Sequence, residues 1–463
     1  MTPAPPQPTP SHSAQDMFAR VRRELGADAG PSDPPPAHVV PLPARTRVDA
    51  LAWASVTAAA RAAGDLVGAT VASPDPARIA LAFTSERHVR IDDRAVSVWA
   101  EMSGFFRTRD GWVRTHANYA HHAEALRRAF GLPATAGRAE LADALGELAT
   151  DVAESAADVA GGLCVAVRAE DPHSDEIRRR APLVSLRRVT DSPRLPAPPA
   201  PVGAPLRGIR VLDLTRVIAG PIATRTLALL GADVLRIDPP FLPETEWVHL
   251  DTGHGKRSAL LDMRSTSGRG TLERLLASAD VVVTGYRARS LERLGWDPPA
   301  LVARHPGLVV ARLTAWGTDE SGVDDRAADR RGFDSLVQAA SGIAWIESAD
   351  GDTPGALPAQ ALDHSAAYLL AAGILTALRR RRTEGGGWIV EVSLRRVAAE
   401  LLGMPREPVP PEVSAPDPAP HLQRFDLDGM SVTTVGPAVS YPGGPERFAS
   451  PRRWGRDAPE WSS

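Results

Sequence analysis

Residues Gly208–Asp238 read GIRVLDLTRVIAGPIATRTLALLGADVLRID. Ile209–Leu214 has the apolar run of a buried strand, Ala223–Leu230 has helical composition and ends at Gly231, and Val234–Ile237 is a second strand. The same alternation continues downstream. A helix is expected at Gly268–Ser278, a strand at Val281–Val283, a helix at Leu301–Arg304 and a strand at Leu308–Leu313. Strands alternating with helices predict an α/β domain with a mainly parallel sheet over residues 206–404.

Proline-rich stretches divide the rest of the chain. Residues 1–46 are expected to be disordered, apart from the amphipathic spacing of Ala14–Leu25. Residues 47–192 have a globular pattern, with helices at Leu51–Ala63 and Ala139–Ala157. Asp110-Gly111 between two short apolar runs marks a hairpin. Residues 193–205 read as a linker. Residues 405–463 form a Pro-rich tail with a short strand pair after residue 421.

Composition excludes several classes of function. With 463 residues, 43% hydrophobic and 24% charged, the chain is long enough for two or three cores. A net charge of −3 offers no global field for nucleic acid or an anionic membrane, so neither partner is expected. No apolar run reaches the length expected of a bilayer span, and residues 1–16 lack the pattern of a secretory signal. Cys164 is the single cysteine, which removes disulfides within the chain and Cys-based zinc sites. The histidines give no metal-ligand spacing, so no metal is expected. These features suit the cytoplasm. Of the 53 basic residues only Lys256 is a lysine.

Three stretches carry candidate chemistry. Asp238 ends the second strand where a ribose-binding acid would sit. The preceding loop, Thr215–Pro221, has one glycine where a dinucleotide fingerprint has three, so NAD or FAD is not expected. Gly253-His254-Gly255-Lys256-Arg257 suits either a phosphate-binding loop or a solvated basic turn. Arg287, Arg289 and Arg293 follow the strand at Val281–Val283, at the end of a parallel sheet where anions bind. Finally, Pro358–Asp363 runs into a helix with apolar residues at 366, 370, 373, 374, 377 and 378. Asp363 sits where an N-cap would sit, and a carboxylate there is either a cap or an ionised nucleophile.

With these residues collected, the chain resembles the class III coenzyme A transferases, the family of carnitine- and formyl-coenzyme A transferases and α-methylacyl-coenzyme A racemases. The likeness runs from Leu206 through Pro221, Leu230–Asp238, His254–Ser258, Ala279–Gly295 and Phe333–Gly342. It implies an open, mainly parallel Rossmann-like sheet domain plus a smaller α+β domain. The nucleophile implied is Asp363. The coenzyme A contacts implied are Val217, Ile218, Ala219, Lys256, Arg257, Arg287, Arg293 and Arg331. Residues 103–132 and 140–190 resemble small-domain segments that in usual members follow the catalytic half, so the order here reads as permuted or fused.

The resemblance further implies coenzyme A transfer from an acyl-CoA donor to a carboxylic acid through an aspartyl-CoA thioester. Coenzyme A is then a substrate, and no tightly bound cofactor is expected. Usual members are homodimers. Racemases of the family place a histidine before the acid of a G-H-D sequence. Here Phe333 holds that place and cannot move a proton, which favours transferase over racemase. A catalytically dead coenzyme A-binding homologue is the remaining alternative.

Overall fold

In the computed structural model, which describes residues 10–26, 37–194, 200–317 and 329–462, the strand Val281–Thr284 is buried at every position. A strand with no polar alternation must be covered on both faces. It pairs in parallel with Arg210–Leu214 on one side and Val309–Thr314 on the other. Beyond these lie Asp233–Asp238 and Arg257–Leu260 on one flank, and Trp388–Ser393 on the other. Ser185–Arg188 adds an antiparallel edge, giving a seven-stranded sheet among the described residues. From Arg210–Leu214 the chain steps outward twice, then crosses back to Val281–Thr284 and proceeds the opposite way. The reversal leaves a crevice at the carboxyl ends of those two strands, where ligands bind in folds of this kind.

The helix Ala361–Glu384 is the spine of the molecule. It packs against Val48–Asp65, Ala219–Leu229 and the sheet. By length and composition it meets the criterion for a membrane span, which corrects the expectation that no apolar run is long enough. Its apolar window is 100% buried within the protein, so it is enclosed as a core helix. Arg381 ends it by donating to the Gly307 carbonyl at 2.9 Å, and Gly385 takes φ 74° beyond its last turn.

The predicted boundaries do not coincide with the packing. The amphipathic spacing of Ala14–Leu25, within a stretch otherwise expected to be disordered, falls on a helix at Pro10–Glu24. Its Ala14, Met17, Phe18 and Val21 are buried, and Phe18 meets Trp53 edge-on at 6.0 Å. The spacing of three and four residues aligns these side chains on one stripe, and burying that stripe holds the helix in place. Val40, Leu42 and Ala44 are buried as well. Residues 1–9 and 27–36 of that stretch, and 195–199 of the linker, lie outside the described residues. Residues 47–192 are not one unit of packing either, because Val48–Asp65 and Ser185–Arg188 pack with the main domain.

What remains between them is the expected smaller α+β element. Gly104–Arg107, Trp112–Thr115 and Cys164–Ala166 form an antiparallel sheet under three helices. The Asp110-Gly111 hairpin is present, with Arg107 opposite Trp112. The expected strand pair in the tail is Leu422–Leu427 with Met430–Val435, and it also joins Arg90–Ile91. Further on, the Asp457 N–H donates to the Ser258 carbonyl at 2.7 Å, covering the open edge of the main sheet.

Candidate functional site

The crevice at the strand reversal opens into a cavity of about 310 Å³. Its floor is the loop Thr215–Ala219, which links the strand Arg210–Leu214 to the helix Ala219–Leu229. Several buried charges brace this loop. Asp213 accepts hydrogen bonds from the Thr215 N–H at 3.0 Å, the Thr224 hydroxyl at 2.6 Å and Lys256 Nζ at 3.0 Å. Burial opposes ionisation of Asp213, but the charges of Lys256 and Arg236 and the two hydroxyls hold its pKa below the usual range. Glu244 accepts the Val217 N–H at 3.0 Å and an Arg236 N–H at 3.0 Å, and the Tyr119 hydroxyl also donates to it. Although burial works against its charge, Arg236 and Arg216 bring Glu244 down to about 2.

Val217 has φ +68°. The left-handed region is unusual for any L residue and most unusual for a β-branched one, so this is local strain held by its surroundings. Gly220 is required two residues into the helix, since a Cβ there would lie 2.4 Å from Thr215 Cβ.

Asp363 reaches this cavity from the first turn of Ala361–Glu384. It is not the N-cap that its position predicts, because Gln360 holds that place. The cap is supplied by another element. One oxygen of Asp334 accepts the N–H groups of Leu362 at 2.8 Å and Asp363 at 2.9 Å. Its other oxygen accepts from the Gln338 amide, whose own oxygen accepts the Leu357 N–H at 2.9 Å. Asp334 and Gln338 therefore fix the approach to Asp363 from both sides.

No hydrogen bond or ion pair from a described residue reaches the Asp363 carboxyl, which is 8% exposed. Burial first, and then the charge of Asp334, push its pKa well above the ordinary carboxylate value. This corrects the expectation of a simply ionised acid. The helix terminus does favour an anion, but Asp334 already takes up two of its N–H groups. Three donors offset part of the burial of Asp334, which stands at about 6, whereas no donor offsets the upward push on Asp363.

The predicted contacts divide into two sets. Val217, Ile218, Ala219, Arg287 and Arg331 line the same cavity as Asp363. Arg287 and Arg331 stand at its exposed end, and Trp316 orients the latter's backbone by donating to its carbonyl at 2.9 Å. Lys256 and Arg257 do not reach it. Lys256 is 2% exposed and spans Asp213 and the Pro221 carbonyl, the latter at 2.7 Å. Burial lowers its pKa to about 8 despite Asp213. It is a strut beneath the loop rather than a ligand contact. Arg257 is bound to Asp233 at 2.8 Å on the outer strand, and Arg293 is exposed outside the cavity wall.

Sequence reasoning missed Arg216, Arg330, Tyr119, His121 and His122, which also line the cavity. The three from residues 119–122 open the helix Ala120–Ala129 of the smaller element. His122 is brought to about 3, chiefly by burial and then by His121, and so is neutral. Among the described residues no group of side chains has the geometry of a metal site.

Residues 206–407 match the family model described as CoA-transferase family III. The "Probable fatty acyl-CoA transferase Rv3272" of Mycobacterium tuberculosis is 31% identical over 237 residues, covering 48% of this chain and 59% of the relative. The "Succinyl-CoA--L-malate CoA-transferase alpha subunit" of Chloroflexus aurantiacus is 30% identical over 213 residues, covering 43% of this chain and 48% of the relative. A crystal structure of Rv3272 aligns at 32% identity and a TM-score of 0.39, covering 45% of this chain and 58% of that one. The chain thus spans about half the length of the curated relatives it matches.

Proposed function

We propose that this chain moves coenzyme A from an acyl-CoA donor to a carboxylic acid, with Asp363 as the covalent nucleophile, a reading supported by the match of residues 206–407 to the model of CoA-transferase family III. One observation carries the reading: Asp363 opens into the ligand crevice with no partner for its carboxyl among the described side chains. A buried acid left unpartnered is costly, and such acids concentrate at working sites.

The chemistry follows from the carboxylate. In its ionised form Asp363 attacks the thioester carbonyl of the donor through one oxygen, the C–S bond breaks, and an acyl-aspartyl anhydride and a thiolate form. The thiolate attacks the aspartyl carbonyl and expels the donor acid, which leaves with one aspartyl oxygen. An acceptor carboxylate then attacks the aspartyl thioester, and the thiolate returns to the acceptor's carbonyl. Asp363 is regenerated with one oxygen from the acceptor.

Arg216, Arg287, Arg330 and Arg331 supply positive charge along the cavity for the phosphates of coenzyme A. Holding that remote portion positions the thioester at Asp363. In this reading residues 47–192 contribute small-domain segments that precede the catalytic half, and the active form is a homodimer.

A racemase reading has one observation in its favour. His116 stacks on Phe333 at 3.7 Å, and His122 lines the cavity. Burial holds both rings far below the usual imidazole range, which makes them weak bases for an α-proton. The test is to incubate the protein with an acyl-CoA, add hydroxylamine and map the modified peptide. A hydroxamate on Asp363 supports transfer. Deuterium exchange at the α-carbon without a hydroxamate supports racemisation, and neither product would leave a binding protein.

A further inference from the structure

Asp363 borders two cavities. Beside the arginine-lined one is a second, of about 190 Å³, and Tyr119, Val217, Ile218, Phe333 and Asp363 belong to both walls. The two cavities therefore adjoin along the loop bearing the strained Val217, and Asp363 belongs to the wall of each.

The two cavities differ in charge. Four arginines line the first, whereas no lysine or arginine among the described residues lines the second. Its apolar wall includes Val98, Trp99, Trp247 and Val248, and its acids are Glu86, Asp334 and Asp363, with Arg87 outside the wall 3.6 Å from Glu86. Arg114 does not line it, and its guanidinium lies over the Trp99 and Phe105 rings at 4.8 Å each. The polar wall is partly spent on itself. Asn118 accepts from the Ala100 N–H at 3.0 Å and the Ser103 hydroxyl at 2.7 Å, and donates to the Val98 carbonyl at 3.1 Å.

We propose that this second cavity holds the acyl group, and that it selects compact monocarboxylic acids with an apolar, aromatic or branched tail while rejecting dicarboxylic acids. The inference rests on the transferase reading above. A second carboxylate entering this space would be desolvated with no cation on the cavity wall to pair with, facing Glu86 and Asp334. Burial, with a smaller push from Asp251, raises Glu86 to about 7 against the opposing charge of Arg87 and a backbone hydrogen bond. Size limits the tail. An apolar cavity of about 150 Å³ accepts a benzene ring, so about 190 Å³ takes a phenyl ring with one or two further carbons.

The test is coenzyme A exchange by the full chain. Acetyl-CoA is the donor, and the acceptors are propanoate, 3-methylbutanoate, phenylacetate, 3-phenylpropanoate, succinate and glutarate. We expect kcat/KM for phenylacetate and 3-methylbutanoate to exceed that for succinate and glutarate by about 100-fold. Two variants separate the causes. Glu86→Gln should narrow the gap for glutarate by about tenfold, by removing like charge. Val98→Phe should lower the ratio of 3-phenylpropanoate to propanoate by about tenfold, by filling the wall. Transfer to succinate as fast as to phenylacetate overturns the inference and leaves the transferase reading intact. Unchanged ratios in both variants also overturn it. No exchange with any acid, together with no hydroxamate on Asp363, overturns both.

Discussion

Replacing Asp334 by alanine tests how the nucleophile is held. The substitution strands three donors at a residue only 1% exposed: the N–H groups of Leu362 and Asp363, and the Gln338 amide. Each stranded donor costs about 1–3 kcal/mol. Part of this is offset, because Asp334 itself is a buried acid raised to about 6, mainly by desolvation. Removing it relieves about 3 kcal/mol. The net loss is about 3 kcal/mol. Unfolding entropy of about 2.1 cal/mol/K per residue over the chain is about 1 kcal/mol/K, so Tm should fall by about 3 °C. Asp334→Asn addresses charge instead. Asp363 is raised by burial and then by the charge of Asp334, so the amide lets Asp363 ionise at lower pH. The acid limb of kcat/KM should move toward acid in this variant. Differential scanning fluorimetry and a pH profile read the two effects. An unchanged melt for the alanine variant and an unmoved acid limb for the asparagine variant would refute the coupling.

Asp363→Asn should reduce transfer by several orders of magnitude, as loss of a covalent nucleophile does. It should also stabilise the protein at neutral pH. A raised folded pKa gives stability that is full below the unfolded carboxylate pKa and is lost as pH rises through the folded one. The Tm advantage of the variant should therefore grow from pH 4 to pH 8. Lys256→Met leaves the Asp213 carboxylate buried without its cation, so it should cost about 3–5 kcal/mol by thermal or urea unfolding. Arg287→Ala should behave differently, raising KM for acyl-CoA about tenfold with little change in Tm, since its exposed side chain faces the cavity mouth.

The parallel sheet was legible because strands such as Val281–Thr284 are apolar throughout and short helices separate them. Asp363 was marked in the sequence by its place at a helix start and by the family resemblance, but its environment was not legible. Its cap comes from a residue 29 positions earlier, a relation no local spacing encodes. Lys256 misled for a physical reason. A cation among glycines reads as a loop contact, yet its partner Asp213 lies 43 residues away on another strand. Tyr119, His121 and His122 escaped because tertiary packing brings the smaller element against the crevice. The helix at Pro10–Glu24 was half-read: its periodicity was visible, while the Pro-rich surroundings argued for disorder.

The pairing of Val48–Asp65 with Ala361–Glu384 has a consequence for biosynthesis. About 300 residues separate the two helices in the chain. At elongation rates of about 5–20 residues per second, the first emerges roughly 15–60 s before the second exists. During that interval Val48–Asp65, which buries Trp53 and a run of alanines in the finished protein, has the helices Pro10–Glu24 and Pro76–Phe83 against it but lacks its most extensive partner. A nascent chain stalled before residue 361 should present that surface to a ribosome-bound chaperone, and one stalled well beyond residue 402 should have withdrawn it.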